Sequence, residues 1–229
     1  MMTFVKTVQF SDLTDQDYEE LACGKIGVLI ISGCELVEES CCQEMARLGA
    51  LRRQHPDNSY LVKIGGEGKV LDGHSQLAWH ADRMYFRDMP RFVGLYAKQI
   101  YGSTGRTLFS NMQRAYEALP EDIKNQIEGL RPLNKSQNYL DRYFYPYDFS
   151  EELQRKLFRR YARAEHKLVQ EDAYGKHLVF SEAYTTLDEG IKKVLCEYSY
   201  KKDNIYIHEW AQGDFVIANN FKTTHMREP

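Results

Sequence analysis

The chain has 229 residues, 43% of them apolar and 28% charged, an ordinary globular composition in a chain long enough to bury one large core. Acids exceed bases by 33 to 30, which excludes the electropositive footprint of a nucleic-acid binder, and no uninterrupted apolar run approaches the ~18 residues of a membrane span. Five cysteines (Cys23, Cys34, Cys41, Cys42 and Cys196) with no CxxC pair argue against a disulfide framework or a zinc knuckle.

In chain order, Phe4 to Phe10 reads as a short strand. Ser11 to Ala22 is acidic and carries Ser11 and Thr14 as candidate N-caps, which predicts a helix. Gly27-Val28-Leu29-Ile30-Ile31 reads as a buried strand closed by Gly33. Leu36 to Leu48 reads as a helix with Gly49 at its C-terminal stop. Residues 52–76 are polar and glycine-bearing, with one short strand expected at Tyr60 to Ile64. Leu77 to Tyr85, Phe92 to Ile100 and Thr107 to Phe109 follow as strand candidates.

Asn111 to Leu119 and Pro120 to Glu128 predict two consecutive helices, with Asn111 as an N-cap and Pro120 at the first position of the second. Ser150 to Asp172 has apolar residues at Leu153, Leu157, Tyr161, Ala164 and Leu168, the spacing of one long amphipathic helix. His177 to Phe180 predicts a strand and Leu187 to Tyr198 a helix. Ile205 to Trp210 and Phe215 to Ala218 predict strands separated by a Gly213-Asp214 turn. Strands dominate both ends and helices fill the middle, so the expected class is mainly β with helical insertions, in a single domain over residues 1–229. The Met1 to Phe10 stretch is too short and mixed for a signal peptide. With reduced thiols expected, the reading is a cytoplasmic protein.

The chemistry concentrates in Trp79-His80-Ala81-Asp82 and Thr223-Thr224-His225. A His and an Asp two residues apart can share one face of a strand, because strand side chains alternate. A distant second His could complete two imidazoles and a carboxylate, the facial set of non-heme Fe(II) oxygenases.

Two stretches resemble the TauD/TfdA family of Fe(II)- and 2-oxoglutarate-dependent dioxygenases. The first holds Leu77-Ala78-Trp79-His80-Ala81-Asp82, Pro90, Leu95-Tyr96-Ala97, Gly105-Arg106-Thr107-Leu108-Phe109 and Ala115-Tyr116-Glu117-Ala118-Leu119-Pro120. The second holds Leu178-Val179-Phe180, Trp210, Gly213-Asp214, Asn220 and Thr224-His225. The resemblance implies a double-stranded β-helix, or jelly roll. It implies His80, Asp82 and His225 as iron ligands and Thr107 as a contact to a 2-oxoglutarate carboxylate. Fe(II), 2-oxoglutarate as cosubstrate and O2 are the implied cofactors. The implied reaction is hydroxylation or desaturation of a small organic substrate, with amino-acid-derived molecules among the candidates. Related halogenases carry Gly or Ala where Asp82 stands, so oxygenation or desaturation rather than halogenation is implied.

The family also has an Arg ten or more residues beyond the second His, for the distal carboxylate of 2-oxoglutarate. Arg227 comes too early to match it, and the expectation is a C-terminally truncated copy lacking the last strand or strands. His74 and Tyr85 flank the triad and are candidate substrate contacts. Lys156, Arg159, Arg160, Arg163 and Lys167 predict a basic stripe on the long helix, either a solvated face or a patch for an anionic substrate or an acidic carrier protein. Tyr139, Tyr143, Tyr145 and Tyr147 are candidates for a lid or for packing. A homo-oligomer is a further expectation. Two rival readings remain, a catalytically silent jelly-roll binding protein and a zinc hydrolase using the same His/Asp/His set.

Overall fold

The computed structural model describes residues 3–52, 60–62, 64, 76–100, 105–136, 150, 152, 156 and 162–228. The chain opens with β1 (Thr3–Gln9), α1 (Asp15–Cys23), β2 (Ile26–Ser32) and α2 (Glu38–Ala46). Thr14 starts α1, its amide donating to Asp17 Oδ2 at 2.8 Å, and Gly24 ends it with φ 88°, a left-handed turn that favours glycine. Next come β3 (Leu77–His80), β4 (Phe92–Tyr96), β5 (Thr107–Asn111), α3 (Met112–Glu117) and α4 (Glu121–Ile127). The C-terminal half holds β6 (Leu133–Lys135), β7 (Arg163–Glu165), β8 (Val169–Asp172), β9 (Gly175–Leu178), α5 (Glu189–Ser199), β10 (Ile205–His208), β11 (Phe215–Asn219) and β12 (Thr223–Arg227).

The class is mixed α/β. One four-stranded sheet runs β1-β2-β11-β4 and a second runs β10-β5-β12-β3, beside the small pairs β6-β7 and β8-β9. The second sheet is antiparallel throughout, whereas β1 joins β2 in parallel.

Strand periodicity explains how the sheets pack. Leu29 and Ile31 of β2, with Phe215 and Ile217 of β11, bury one face under Tyr18 and Leu21 of α1 and Cys41 of α2. Val28, Ile30, Val216 and Ala218 point the other way and meet Phe109 of β5. The two sheets therefore lie face to face, and β2 is covered on both sides, which accounts for its unbroken apolar run. A third cluster joins Met112 and Tyr116 of α3 to Leu168, Leu178 and Leu195.

Several predicted elements need correction. The helix expected over 150–172 does not extend through its second half. Residues 163–165 and 169–172 are strands paired to β6 and β9, and Ala164 is buried between exposed Arg163 and Glu165, a period of two. Strand pairing, distant for β7 and a tight hairpin for β8, overrode a local helical spacing. The basic stripe dissolves with it: Arg163 lies on β7, exposed Lys167 on the connection to β8 and exposed Lys156 in a helical position, while 159 and 160 lie outside the described residues. The strand expected over 77–85 stops at His80, because the chain turns at Arg83 with φ 56°. Residues 60–62 are irregular. Pro120 precedes α4 as its cap rather than occupying its first turn. Asn111 caps α3 as expected, its side chain accepting from the Gln113 and Arg114 amides at 3.1 and 3.0 Å. The Tyr139–Tyr147 group and His74 lie outside the described residues. Among the described residues no helix is long and apolar enough to cross a membrane.

Candidate metal centre

His80 ends β3 and His225 lies in the middle of β12, and the two are direct cross-strand partners. Directly opposed residues in an antiparallel pair share a face at close Cβ spacing, and here the ring centroids stand 4.3 Å apart. Both rings are buried. The register slips between His225 and Arg227, an irregularity of the kind that re-aims side chains near sites.

Asp82 arrives by a different route. It lies in the turn beyond β3, not on the strand, and Asn220 fixes it there. Asn220 Oδ1 accepts from the Asp82 amide at 2.9 Å, and its Nδ2 donates to the carbonyls of Asp82 at 2.8 Å and Pro90 at 3.0 Å. His166 Nε2 donates to the carbonyls of Met84 and Phe86 at 2.9 and 3.0 Å and secures the rest of the turn.

The three side chains converge. Asp82 Oδ1 is 3.4 Å from His80 Nε2 and 3.7 Å from His225 Nε2, and one ligand atom from each residue falls within 4.8 Å of the others. These separations are near the ~3 Å edge of an octahedron with bonds of about 2.1 Å. His80 Nδ1 is 2.7 Å from the Ala78 carbonyl. A carbonyl only accepts, so Nδ1 carries a proton, and the Nε2 atom, turned toward Asp82, is the one placed to meet a metal.

The electrostatics agree. Burial, with His80 adding to it, lowers the His225 pKa to about 4, so the ring is neutral at pH 7. Burial pushes the Asp82 pKa upward, but the His80 contact and the facing His225 outweigh it and hold the carboxyl well below the usual range. Two imidazoles and an ionised carboxylate on one face are the donor set of a divalent first-row metal with open positions opposite. Among the described residues the buried His225 Nδ1 has no hydrogen-bond partner, so these neighbours leave the tautomer open and a metal at Nε2 would decide it.

Thr107 opens β5 opposite Arg227, two residues from Phe109 and on the same face as His225. Its Oγ1 accepts from Trp210 Nε1 at 2.9 Å. Tyr85 is buried with Phe86 and Ala162 and meets the edge of Tyr184 at 5.0 Å. Tyr184 in turn meets His80 edge-on at 6.3 Å. Tyr85 therefore stands one ring removed from the triad. Trp79 stacks on Tyr200 at 4.5 Å, a packing role. Three working residues carried no role in the sequence: Asn220, Tyr184 and Trp210. Asn220 and Trp210 stood in quoted motifs, but their partners lie 138 and 103 residues away, and spacing along the chain carries no trace of that.

A profile of the taurine catabolism dioxygenase TauD, TfdA family matches residues 3–229. The alpha-ketoglutarate-dependent 2,4-dichlorophenoxyacetate dioxygenase of Cupriavidus pinatubonensis is 28% identical over 168 residues, 69% of this chain and 56% of that protein, so the chain spans little more than half of that relative. The (S)-phenoxypropionate/alpha-ketoglutarate-dioxygenase of Sphingobium herbicidovorans is 25% identical over an alignment covering 98% of this chain and 85% of that one. Among solved structures, AAD-2 in complex with Mn(II) and N-oxalylglycine superposes with a TM-score of 0.76 at 22% identity, covering all of this chain and 91% of that one. A taurine dioxygenase from Burkholderia xenovorans gives 0.71 at 16%, covering 98% and 79%.

Proposed function

The chain belongs to the TauD, TfdA family of dioxygenases, and from that premise we propose that it is an Fe(II)- and 2-oxoglutarate-dependent dioxygenase acting on a small organic molecule. The observation that carries this reading is the convergence of His80, Asp82 and His225 within 4.8 Å. Bound there, Fe(II) supplies the coupling of O2 reduction and oxidative decarboxylation of 2-oxoglutarate, to succinate and CO2, with oxidation of the substrate.

The protein's own part is ligation, orientation and exclusion of water. His80 Nε2, Asp82 Oδ1 and His225 Nε2 would hold the metal from one side. The Ala78 carbonyl orients His80, and Asn220 orients Asp82. Thr107 would hold a carboxylate of 2-oxoglutarate from the neighbouring strand. Tyr184, backed by Tyr85, would form an aromatic wall beside His80, and His74 stays a candidate substrate contact. Asp82 fills the third protein position, which favours hydroxylation or desaturation over halogenation. The two four-stranded sheets, facing each other with the two His on β3 and β12 and Asp82 in the turn after β3, are read as the two sheets of a jelly roll in one domain. The two aligned relatives are named for phenoxyalkanoate substrates, so a substrate screen starts with aryloxyalkanoates, then sulfonates such as taurine, then amino-acid derivatives.

The test is anaerobic titration of Fe(II) and 2-oxoglutarate into the protein, followed by the visible metal-to-ligand charge-transfer absorption, with His80→Ala alongside. A band lost in the variant supports the reading. Absence of a band in the parent protein overturns it and leaves the silent or zinc-binding alternatives, which zinc analysis separates.

A further inference from the structure

The Thr107 hydroxyl has its hydrogen-bond polarity set by a neighbour. Trp210 Nε1 donates to Thr107 Oγ1 at 2.9 Å. An indole N–H can only donate, and a hydroxyl has one donor and two acceptor sites. Thr107 must therefore accept from Trp210, and its own hydrogen is left for another group. Thr107 stands opposite Arg227 in the β5–β12 ladder and so lies diagonal to His225 on the same face. Side chains so related stand about 7–8 Å apart, within reach of one small ligand that also touches the metal position.

Trp210 is itself held in place. The His208 ring meets its edge at 4.5 Å with an interplanar angle of 85°. His208 Nε2 is 3.3 Å from Asp214 Oδ2, and that same oxygen accepts from the Ala211 amide at 2.8 Å. The residue after Trp210 is thus tied to the turn that carries Asp214. His208 is also the cross-strand partner of Thr107, so the indole donor and the hydroxyl it reaches are braced by one imidazole.

We propose that Trp210 is a positioning residue for the cosubstrate: it fixes the Thr107 hydroxyl as a donor and so matches it to an acceptor-only carboxylate. The inference rests on the proposed role of Thr107 at 2-oxoglutarate. It adds a chemical preference to that role. Without the indole N–H, Thr107 can donate or accept, and the ordered donor for an anion is lost.

The test is calorimetric binding of N-oxalylglycine, a non-reacting 2-oxoglutarate analogue, to the Mn(II)-loaded protein, together with Mn(II) affinity alone. The proteins are the parent, Trp210→Phe, Thr107→Val and the double variant. Trp210→Phe keeps an aromatic ring for packing and deletes the N–H together with the second ring of the indole, so Mn(II) affinity and the double variant serve as the controls for lost packing. The expected result is analogue binding weakened about 5–10-fold in Trp210→Phe, with Mn(II) affinity retained and no further loss when Thr107→Val is combined with it. Unchanged analogue binding in Trp210→Phe, while Thr107→Val weakens it, overturns the role of Trp210 and leaves that of Thr107 standing. Parent-like binding in Thr107→Val overturns both. Equal loss of Mn(II) affinity in Trp210→Phe, or fully additive losses in the double variant, also overturns the proposal, since either marks a general structural effect.

Discussion

Asn220 grips Asp82 by both of its backbone polar groups, accepting from the amide at 2.9 Å and donating to the carbonyl at 2.8 Å. The carboxamide thereby takes the place of a neighbouring strand just where β3 has ended. Asn220 lies in the connection between β11 and β12, five residues before His225. One short segment thus supplies the second imidazole and the clamp on the carboxylate.

Asn220→Ala is expected to weaken Mn(II) or Fe(II) binding about 10–100-fold, as loss of a ligand-orienting partner does. It also leaves the Asp82 and Pro90 carbonyls without their donor, at a stability cost of about 1–3 kcal/mol. Isothermal titration and chemical denaturation read the two effects. Asn220→Asp is the sharper variant, since it keeps the acceptor and deletes the NH2 donors.

Gly213 has φ 88°, and a Cβ there would stand 2.8 Å from the Cys34 carbonyl oxygen. The close approach serves the Cys34 amide, which donates to the Gly213 carbonyl at 2.9 Å. Gly213→Ala is expected to destabilise by about 1–3 kcal/mol, seen as a lowered thermal midpoint. Gly129, after α4, has φ 76° with nothing within 4 Å of its would-be Cβ, so Gly129→Ala should cost less.

His177 is buried, and desolvation, with Lys222 adding to it, lowers its pKa to about 4. In the unfolded chain it titrates near 6.5. Between those values the unfolded state binds the extra proton, so stability is fully present above about pH 6.5 and falls as pH drops toward 4. His177→Leu is expected to flatten that part of the profile. Urea midpoints for parent and variant at pH 7, 5.5 and 4.5 measure it. A difference between them that stays constant with pH would sink the account.

Lys222 is fully buried in the turn just before β12. Its ammonium meets Asp172 Oδ2 at 2.6 Å, the Gly24 carbonyl at 2.9 Å and Gln113 Oε1 at 3.5 Å. Burial acts to raise the Asp172 pKa, but the Lys222 bond and the Tyr174 amide outweigh it and leave the carboxyl lowered. Stability from Asp172 is therefore present above the ordinary carboxylate range near 3.9 and lost as pH falls below it. Asp172→Asn should weaken the acid dependence below pH 4. It should also destabilise at pH 7 by about 3–5 kcal/mol, the cost of a buried charge losing its partner.

Much of the site was readable in the sequence. His80, Asp82 and His225 were named from spacing and motif, and the structure brings their ligand atoms together. The strand over Phe215–Asn219 and the Asn111 cap were legible because alternation and capping are local. The reading of 150–172 failed where the same apolar residues suited two structures: Ala164 and Leu168 fit a helix spacing of four, yet Ala164 faces inward from paired strand β7 and Leu168 is buried in the bend that leads into β8. Asp82 was placed on the strand face, but β3 ends before it.

By itself, then, the sequence determined the donor set, its order along the chain and the buried apolar strands, because ligand chemistry and hydrophobic alternation are properties of residues and their near neighbours. Tertiary structure alone decided that His80 and His225 are paired across two strands, that Asn220 carries Asp82 around its turn and that Trp210 sets the polarity of Thr107. Each of those rests on a contact spanning more than 100 residues. Such a contact forms only once two sheets have packed and their register is set, and no local pattern encodes it.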